Sequence, residues 1–400
     1  MGAYLPAKPV EDGLRARLLQ FLRQQTLLHE SYIDQIEDSK VLPGSLESNS
    51  DGWEKQPWFR TWLSNLPESK KADPFQGTKE RRRVPVDPDS LKESLIPHPM
   101  LPSDAETLAG SMALVNSQVL PEQIDQLICS SQVPDLPLPP NASLVQHKLQ
   151  LRNAGAFEVD SCCSSFVTML ELAEALIRSG LRQNVLIVAS YVDSHVSDKS
   201  DYFSVNTGDA AVAAIVSTVA DGDGYLSSHS SSHGSRHNGI ILQRRSPQLV
   251  KSPFQRSRYE QDFVTFYNPA ANKEIAVNSQ KDMKEVVSMA LAKAGMSTDE
   301  IDFFVTHQPV HWAGKAWREA LQIPEDRFYE TFCKYGNIAN CSAAVNLYEA
   351  IETGRLKAGD RVLIASSGAG ENHIALLEKI SPQLLRSIYG ASCSAISTVS

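Results

Sequence analysis

Four hundred residues with 47 acidic and 38 basic side chains carry a net charge of −9. That length exceeds what one ordinary core organises, so two domains or a duplicated domain is expected, and the acidic balance speaks against a nucleic-acid or anionic-membrane partner. The six cysteines lack regular spacing. They read neither as a disulfide framework nor as a zinc site, and they suggest a reducing compartment. Met1-Gly2-Ala3-Tyr4-Leu5-Pro6 has no basic segment leading into an apolar run, and no stretch of about 18 apolar residues occurs, so the expectation is a cytoplasmic chain without signal peptide or membrane span.

Residues 3–12 read as a short strand and turn, and residues 13–25 as an amphipathic helix through Leu14, Leu18, Leu19, Phe21 and Leu22. Residues 38–57 are polar and read as loop. Trp53, Trp58, Phe59 and Trp62 then gather in a segment that is either locally packed or a lid or docking surface. The basic run Lys79-Glu80-Arg81-Arg82-Arg83 is a solvated face or an anchor for a phosphate-bearing ligand. Ser103-Asp104-Ala105-Glu106 fits a capping box ahead of a helix through Leu108, Met112 and Val115. A strand at 126–131, a proline-rich loop at 134–140 and a helix at 144–151 follow.

Ala156 to Asp160 alternates as a buried strand does, and from Phe166 the apolar positions take up helical spacing (Met169, Leu170, Ala173, Leu176, Ile177) until Gly180. Cys162 and Cys163 therefore sit in a strand-to-helix turn. Unpaired N–H groups and the helix dipole concentrate there, and they can bring a thiol pKa from about 8.5 to roughly 3.5–7.5. That is a place for a cysteine nucleophile; two inert buried thiols are the other reading. Further strands are expected at 184–190, 210–216, 301–306, 361–366 and 372–379, and helices at 281–295, 312–321 and 342–353. Residues 217–262 read as linker or loop with one strand at 239–243, and the last twenty or so residues as a tail. His229, His233 and His237 are spaced by four, but the Ser and Gly between them are poor helix formers and no fourth ligand is evident, so no metal is expected.

The chain repeats itself. Ser111-Met-Ala-Leu114 recurs as Ser288-Met-Ala-Leu291, Ile124-Asp125 as Ile301-Asp302, and Val185-Leu-Ile187 as Val362-Leu-Ile364, each at an offset of 288 − 111 = 301 − 124 = 362 − 185 = 177. Glu174-Ala175 and Gly180 recur as Glu349-Ala350 and Gly354, at offsets of 175 and 174. A duplicated α/β domain with mainly parallel sheets is expected, with halves at 1–222 and 223–400 and an insertion at about 13–75. The 177 offset carries Ser130 onto His307, and the local offset of 174 carries Cys163 onto Asn337, in Tyr335-Gly-Asn-Ile-Ala-Asn-Cys341. Cys, His and Asn thus gather at strand and helix ends, where α/β proteins place ligands.

From about residue 75 to 380 the sequence resembles the thiolase superfamily, and within it the β-ketoacyl-acyl-carrier-protein synthase III group. The resemblance rests on Lys79-Glu-Arg-Arg82, Glu122-Gln-Ile-Asp125, Pro134-Asp135, the cysteine turn and its helix, Gly208-Asp209, His307-Gln308, Tyr335-Gly-Asn337 and Ser367-Gly-Ala-Gly370. It implies a layered α-β-α-β-α thiolase fold and a homodimer, with acyl-coenzyme A or acyl carrier protein as partner. It makes Cys163 the acylated nucleophile, with His307 and Asn337 as its companions. Backbone N–H groups of Cys163 and of the turn near Gly368 would form the oxyanion hole. The implied reaction is decarboxylative Claisen condensation of the acyl group on Cys163 with a malonyl-type thioester, without metal or redox cofactor. The chain departs from the family where Cys162 replaces a small residue, Val310 an Asn, Trp312 an Arg, and Ser366 and Glu371 aromatic residues. The coenzyme A clamp falls near Lys71 and Phe75. These departures favour a specialised relative in polyketide or other secondary-metabolite biosynthesis. Simple acyl transfer from Cys163 to an alcohol or amine, with His307 as base, is the alternative; an inactive acyl- or carrier-binding subunit is another.

Overall fold

The computed structural model describes residues 1–5, 8, 10–40, 42–43, 64, 100–193, 206–220, 222–244 and 263–389. The tryptophan cluster, the basic run at 79–83, Lys71, Phe75 and residues 390–400 lie outside them.

The first sheet is built from β1 (Gly2–Tyr4), β2 (Gln126–Ser131), β3 (Gly155–Glu158), β4 (Asn184–Tyr191) and β5 (Ala210–Ser217), in the order β1-β5-β4-β2-β3. β2 runs parallel to both its neighbours, with Ile128 opposite Phe157 and Ile187. The second half supplies β6 (Gly224–Ser232), β7 (Ile240–Arg244), β8 (Phe263–Tyr267), β9 (Phe303–Thr306), β10 (Arg361–Gly368) and β11 (Asn372–Lys379). Its sheet has the order β6-β11-β10-β9, with β9 and β10 parallel, while β7 and β8 pair as a separate ribbon.

The helices are α1 (Asp12–Gln25), α2 (Glu30–Ser39), α3 (Pro102–Ser117), α4 (Asn141–Lys148), α5 (Ser165–Arg178), α6 (Pro269–Ala294), α7 (Ala313–Ala320), α8 (Ser342–Glu352) and α9 (Pro382–Tyr389). Strand side chains alternate between faces, and here both faces of each sheet are apolar. Ile187 and Val212 of the first sheet and Val305, Ile364 and Leu376 of the second point inward, onto Phe166, Val167 and Met169 of α5 and Ala344 and Val345 of α8. Leu186, Val188 and Ala213 point outward onto α1–α4, and Leu363, Ala365 and Leu377 onto α6 and α7. The result is five layers, helices–sheet–helices–sheet–helices, with α5 and α8 in the middle. That is the layered α-β-α-β-α arrangement expected from the sequence.

The repeat is visible at the element boundaries. The end of α3 and α6 and the starts of β2 and β9, α5 and α8, and β4 and β10 are separated by 294 − 117 = 303 − 126 = 342 − 165 = 361 − 184 = 177 residues. With the helix starts 177 apart, Cys163 corresponds to Asn340. The offset of 174 that carried Cys163 onto Asn337 does not describe equivalent positions.

Other expectations change as well. The first helical turn of α3 begins at Pro102, so Ser103 and Glu106 lie inside the helix and form no box; Asp104 accepts from the Leu101 N–H instead. The segment 217–262 holds β6, which was not expected. Its serines escape a hydrophobicity reading, yet Ser227 and Ser228 are buried, their hydroxyls satisfied by groups on the helices packed against the strand, Ser227 by the Ala290 carbonyl and Ser228 by Glu171. β8 and the first turns of α6 were not expected either, and α9 lies in the segment expected as a tail. Within the expected insertion, α2 was missed altogether. Leu18 and Leu22 of α1 and Ile33 and Ile36 of α2 pack into the outer core with Leu108 and Met112 of α3.

Candidate active site

The end of β10 ties the expected residues together. Ser366 Oγ donates to the Cys163 carbonyl at 2.9 Å. His307 Nδ1 donates to the Ser367 carbonyl at 2.8 Å. Gly368 follows, and a Cβ there would lie 2.4 Å from the Ser161 carbonyl and 3.1 Å from the Cys163 nitrogen. Only glycine lets this strand end approach the cysteine turn so closely. The backbone N–H of Ala369, next in the chain, favours the ionised form of the Cys162 and Cys163 thiols.

His307 follows β9, and Asn337 stands on the loop before α8. His307 Nε2 lies 3.3 Å from Asn337 Oδ1, and both side chains are buried. The Asn337 loop is stitched to the first half: its N–H donates to the Asn206 carbonyl at 2.7 Å, and its carbonyl accepts from the Gly208 N–H at 3.0 Å. Gly208 is needed because a Cβ there would overlap the Tyr335 carbonyl at 2.1 Å. Cys163, His307, Asn337 and Gly368, named from sequence, thus converge from both halves.

A carbonyl only accepts, so in the neutral His307 ring Nδ1 holds the proton and Nε2 a lone pair. Burial pushes the imidazole down to about 4, against the opposing pull of Asn337 and Ser367. The resting ring is therefore neutral at physiological pH. Asn337 Oδ1 accepts from the Ala339 N–H at 2.9 Å, which orients the amide and leaves Nδ2 as its donating end.

The cysteine turn differs from expectation in one respect. α5 begins at Ser165 with Ser164 as its cap, so Cys163 precedes the cap. Its Sγ lies 3.8 Å from Cys162 Sγ. Contact with Cys162 and burial push the Cys163 thiol up, not down. Two thiols in contact cannot both ionise readily, and the helix end does not overcome that. The Ala369 N–H and the Gln132 amide work in the opposite direction. Ala369 lies in the Gly-rich turn named from the sequence, whereas Gln132, just beyond β2, was not named; its strand-end position, two residues after the counterpart of His307, was the available signal. A cavity of about 720 Å³ opens elsewhere, toward the other end of α5, around Glu174 and Glu378; it holds none of the residues named here.

The evenly spaced histidines do not converge. His229 pairs across to Ala375 in the sheet, and His237 lies on a turn with Nδ1 at the Gly234 carbonyl. Trp312 is exposed.

The family described as 3-oxoacyl-[acyl-carrier-protein (ACP)] synthase III matches residues 157–234, and its C-terminal part matches residues 291–380. The β-ketoacyl-[acyl-carrier-protein] synthase III of Sulfurovum sp. (strain NBC37-1) is 33% identical over 272 residues, 67% of this chain and 78% of that protein. The chain belongs to the β-ketoacyl-[acyl-carrier-protein] synthase III family. The synthase III of Caldanaerobacter subterraneus is 29% identical over 282 residues, 70% of this chain and 84% of that protein. The crystal structure of the synthase III from Aquifex aeolicus superposes with a TM-score of 0.62 at 27% identity, covering 70% of this chain and 84% of that one. The priming β-ketosynthase of the R1128 polyketide pathway shares the fold, with a TM-score of 0.66 at 23% identity over 80% of this chain and 90% of that one. The family matches span both the cysteine turn and the His307–Asn337–Gly368 constellation. No helix among the described residues is long and apolar enough to cross a membrane.

Proposed function

We propose that this synthase III relative forms a carbon–carbon bond by decarboxylative Claisen condensation, with Cys163 carrying the acyl group. The observation that supports it is the strand end Ser366–Gly368, which holds the Cys163 carbonyl and His307 at once and packs Gly368 against the Cys163 nitrogen.

The resting Cys163 thiol needs a proton acceptor, and neutral His307 offers the Nε2 lone pair. The thiolate attacks the acyl thioester, and the N–H groups of Cys163 and Gly368 receive the developing oxyanion. The proton leaves with the departing thiol. A malonyl-type thioester then loses carbon dioxide; its enolate oxygen meets Asn337 Nδ2 and His307 Nε2, which takes up a proton from solvent for this step. The carbanion attacks acyl-Cys163, the carbon–sulfur bond breaks, and the Cys163 thiolate that leaves takes the proton from His307 Nε2. Coenzyme A or an acyl carrier protein delivers the substrates, a second copy of the chain completes a homodimer, the enzyme works in the cytoplasm, and its pathway is polyketide or another secondary metabolism. The departures at Val310, Trp312, Ser366 and Glu371 support that last assignment, and the reaction draws on no cofactor.

The test supplies an acyl donor and a malonyl thioester, the donors being acyl-coenzyme A and acyl-carrier thioesters in parallel. Carbon dioxide release with a β-ketoacyl product is expected. Acyl transfer to an alcohol or amine without carbon dioxide from any malonyl donor overturns condensation in favour of simple transfer; no acylation of Cys163 by any donor overturns both.

A further inference from the structure

Beside the Gly-rich turn, on the side of β6 and α6, lies a second group of ligating side chains. We infer that His233, Asp282, Glu371 and His373 bind a divalent transition-metal ion of the zinc type, pinning β6 and α6 to the turn that carries Gly368.

His233 follows β6 and donates its N–H to the Glu371 carbonyl at 2.9 Å. Asp282 projects from α6, Glu371 stands between β10 and β11, and His373 is on β11. One ligand atom each from His233, Asp282 and His373 lie within 4.8 Å of one another. His233 Nε2 is 3.7 Å from Asp282 Oδ1, and His373 Nε2 is 3.4 Å from Glu371 Oε1. A tetrahedral ion with ligand bonds of about 2.0–2.1 Å spaces its ligands roughly 3.4 Å apart. The two rings meet edge-on, centroids 5.5 Å apart at 64°, as rings converging on a shared ion do.

A second observation is the state of the buried ligands. The His373 side chain is 1% exposed and that of Glu371 2%. Both ring nitrogens of His373 lack a hydrogen-bond partner, and so does Glu371 Oε1. Buried polar groups are rarely left so. Arg236 engages the outer oxygens: Nη1 donates to Asp282 Oδ2 at 2.8 Å, and Nε lies 2.9 Å from Glu371 Oε2. That leaves Oδ1 and Oε1 turned toward the imidazoles, the outer-sphere arrangement that orients carboxylate ligands. Two imidazoles and two carboxylates suit a borderline cation, and the His233 side chain, 35% exposed, gives it a way in. His373 pairs with Ser367 across β10 and β11, so the ion would brace the residue whose carbonyl holds His307.

Chelator-treated full-length protein is titrated calorimetrically with zinc chloride, and retained zinc is counted after gel filtration. A single tight equivalent is expected, with a higher Tm. His373→Ala and Asp282→Asn should weaken binding by about 100-fold or more. Because both positions are buried, His233→Ala is the decisive variant: it should keep the wild-type circular dichroism, bind at least about 10-fold more weakly and lose the Tm gain. Absence of stoichiometric zinc in the wild type, or equal binding by folded His233→Ala, overturns the site and leaves a buried ion-pair cluster.

Discussion

Asn340 Nδ2 donates to the Ser130 carbonyl at 2.8 Å and to the Ser130 hydroxyl at 3.1 Å. The repeat sets this pair where Cys163 and His307 stand in the other half, since 340 − 163 = 307 − 130 = 177. The same two positions thus serve twice: once as the proposed nucleophile and its imidazole, once as a fully buried bridge that joins β2 to the loop before α8. The bridge holds the Asn337 loop near the first half, so the two uses are mechanically linked.

Asn340→Ala leaves the Ser130 oxygens without their donor in a dry interior. Stability should fall by about 1–3 kcal/mol, read as a lower urea midpoint at unchanged m. The folded variant should still acylate Cys163 in a mass-spectrometric assay, because Asn340 touches no reacting atom. Loss of acylation in protein that remains folded contradicts the bridging role.

The thiol pair makes a sharper claim. Cys163→Ala should abolish acyl-enzyme formation, and Cys162→Ala should retain it. Cys162 also raises the Cys163 thiol by direct contact, so its removal should shift the pH profile of Cys163 alkylation by iodoacetamide to lower pH. Cys162 has φ of +56°, a conformation costly for a side chain, so Cys162→Gly should be at least as stable as Cys162→Ala. Acylation mapped to Cys162 by peptide mass spectrometry reverses the assignment.

Much of this site was legible in the sequence because its parts announce themselves locally. The strand-to-helix change of period at 156–177 located Cys163, and the His307-Gln308 and Tyr335-Gly-Asn337 contexts located its companions. What stayed hidden depends on contacts distant in sequence. The rise in the Cys163 thiol comes from side-chain placement that spacing does not encode. Ser366, named only as a departure from the family, holds the Cys163 carbonyl from 203 residues away. β6 escaped for another reason: Gly224-Tyr-Leu-Ser-Ser-His-Ser-Ser-Ser232 carries little apolar signal, and its strand state is imposed by pairing with β11. His233 was read with His229 and His237 along the chain, whereas the fold sets it beside Asp282 and His373.

Glu106 gives the stability a pH dependence of known sign. Burial raises its carboxyl to about 8, against hydrogen bonds from Ser131, Ser190 and Asn141. The folded protein therefore binds a proton that the unfolded chain releases near its ordinary value of 4.5. This contribution is full below the unfolded pKa and is lost as pH rises through about 8. Burial also raises Glu378, to about 7, and this adds a loss of the same sign. His307 acts oppositely but only between its folded value of about 4 and its ordinary 6.5. From pH 6.5 upward the Glu106 effect is therefore free of His307. Glu106→Gln keeps the volume, and the wild-type Tm minus the Glu106→Gln Tm should fall between pH 6.5 and 8. A constant difference contradicts a protonated Glu106.

Asn337 and His307 can be separated by the step each variant damages. Asn337 presents an amide N–H and cannot act as a base, so its use lies with the enolate. Asn337→Ala should reduce malonyl decarboxylation by about 10²–10³, as loss of one oxyanion donor does, while leaving acylation of Cys163 largely intact. On the proposed mechanism His307 serves both steps: Nε2 takes the thiol proton during acylation and, carrying a second proton from solvent, faces the enolate. His307→Ala should therefore slow acylation and decarboxylation together. Its acylation should recover at alkaline pH, where the Cys163 thiol ionises unaided, whereas decarboxylation should stay impaired because no donor returns. Single-turnover acylation and carbon dioxide release, followed against pH for both variants, provide the check. Equal damage to acylation by Asn337→Ala and His307→Ala contradicts the division of labour; so does full recovery of decarboxylation by His307→Ala at high pH.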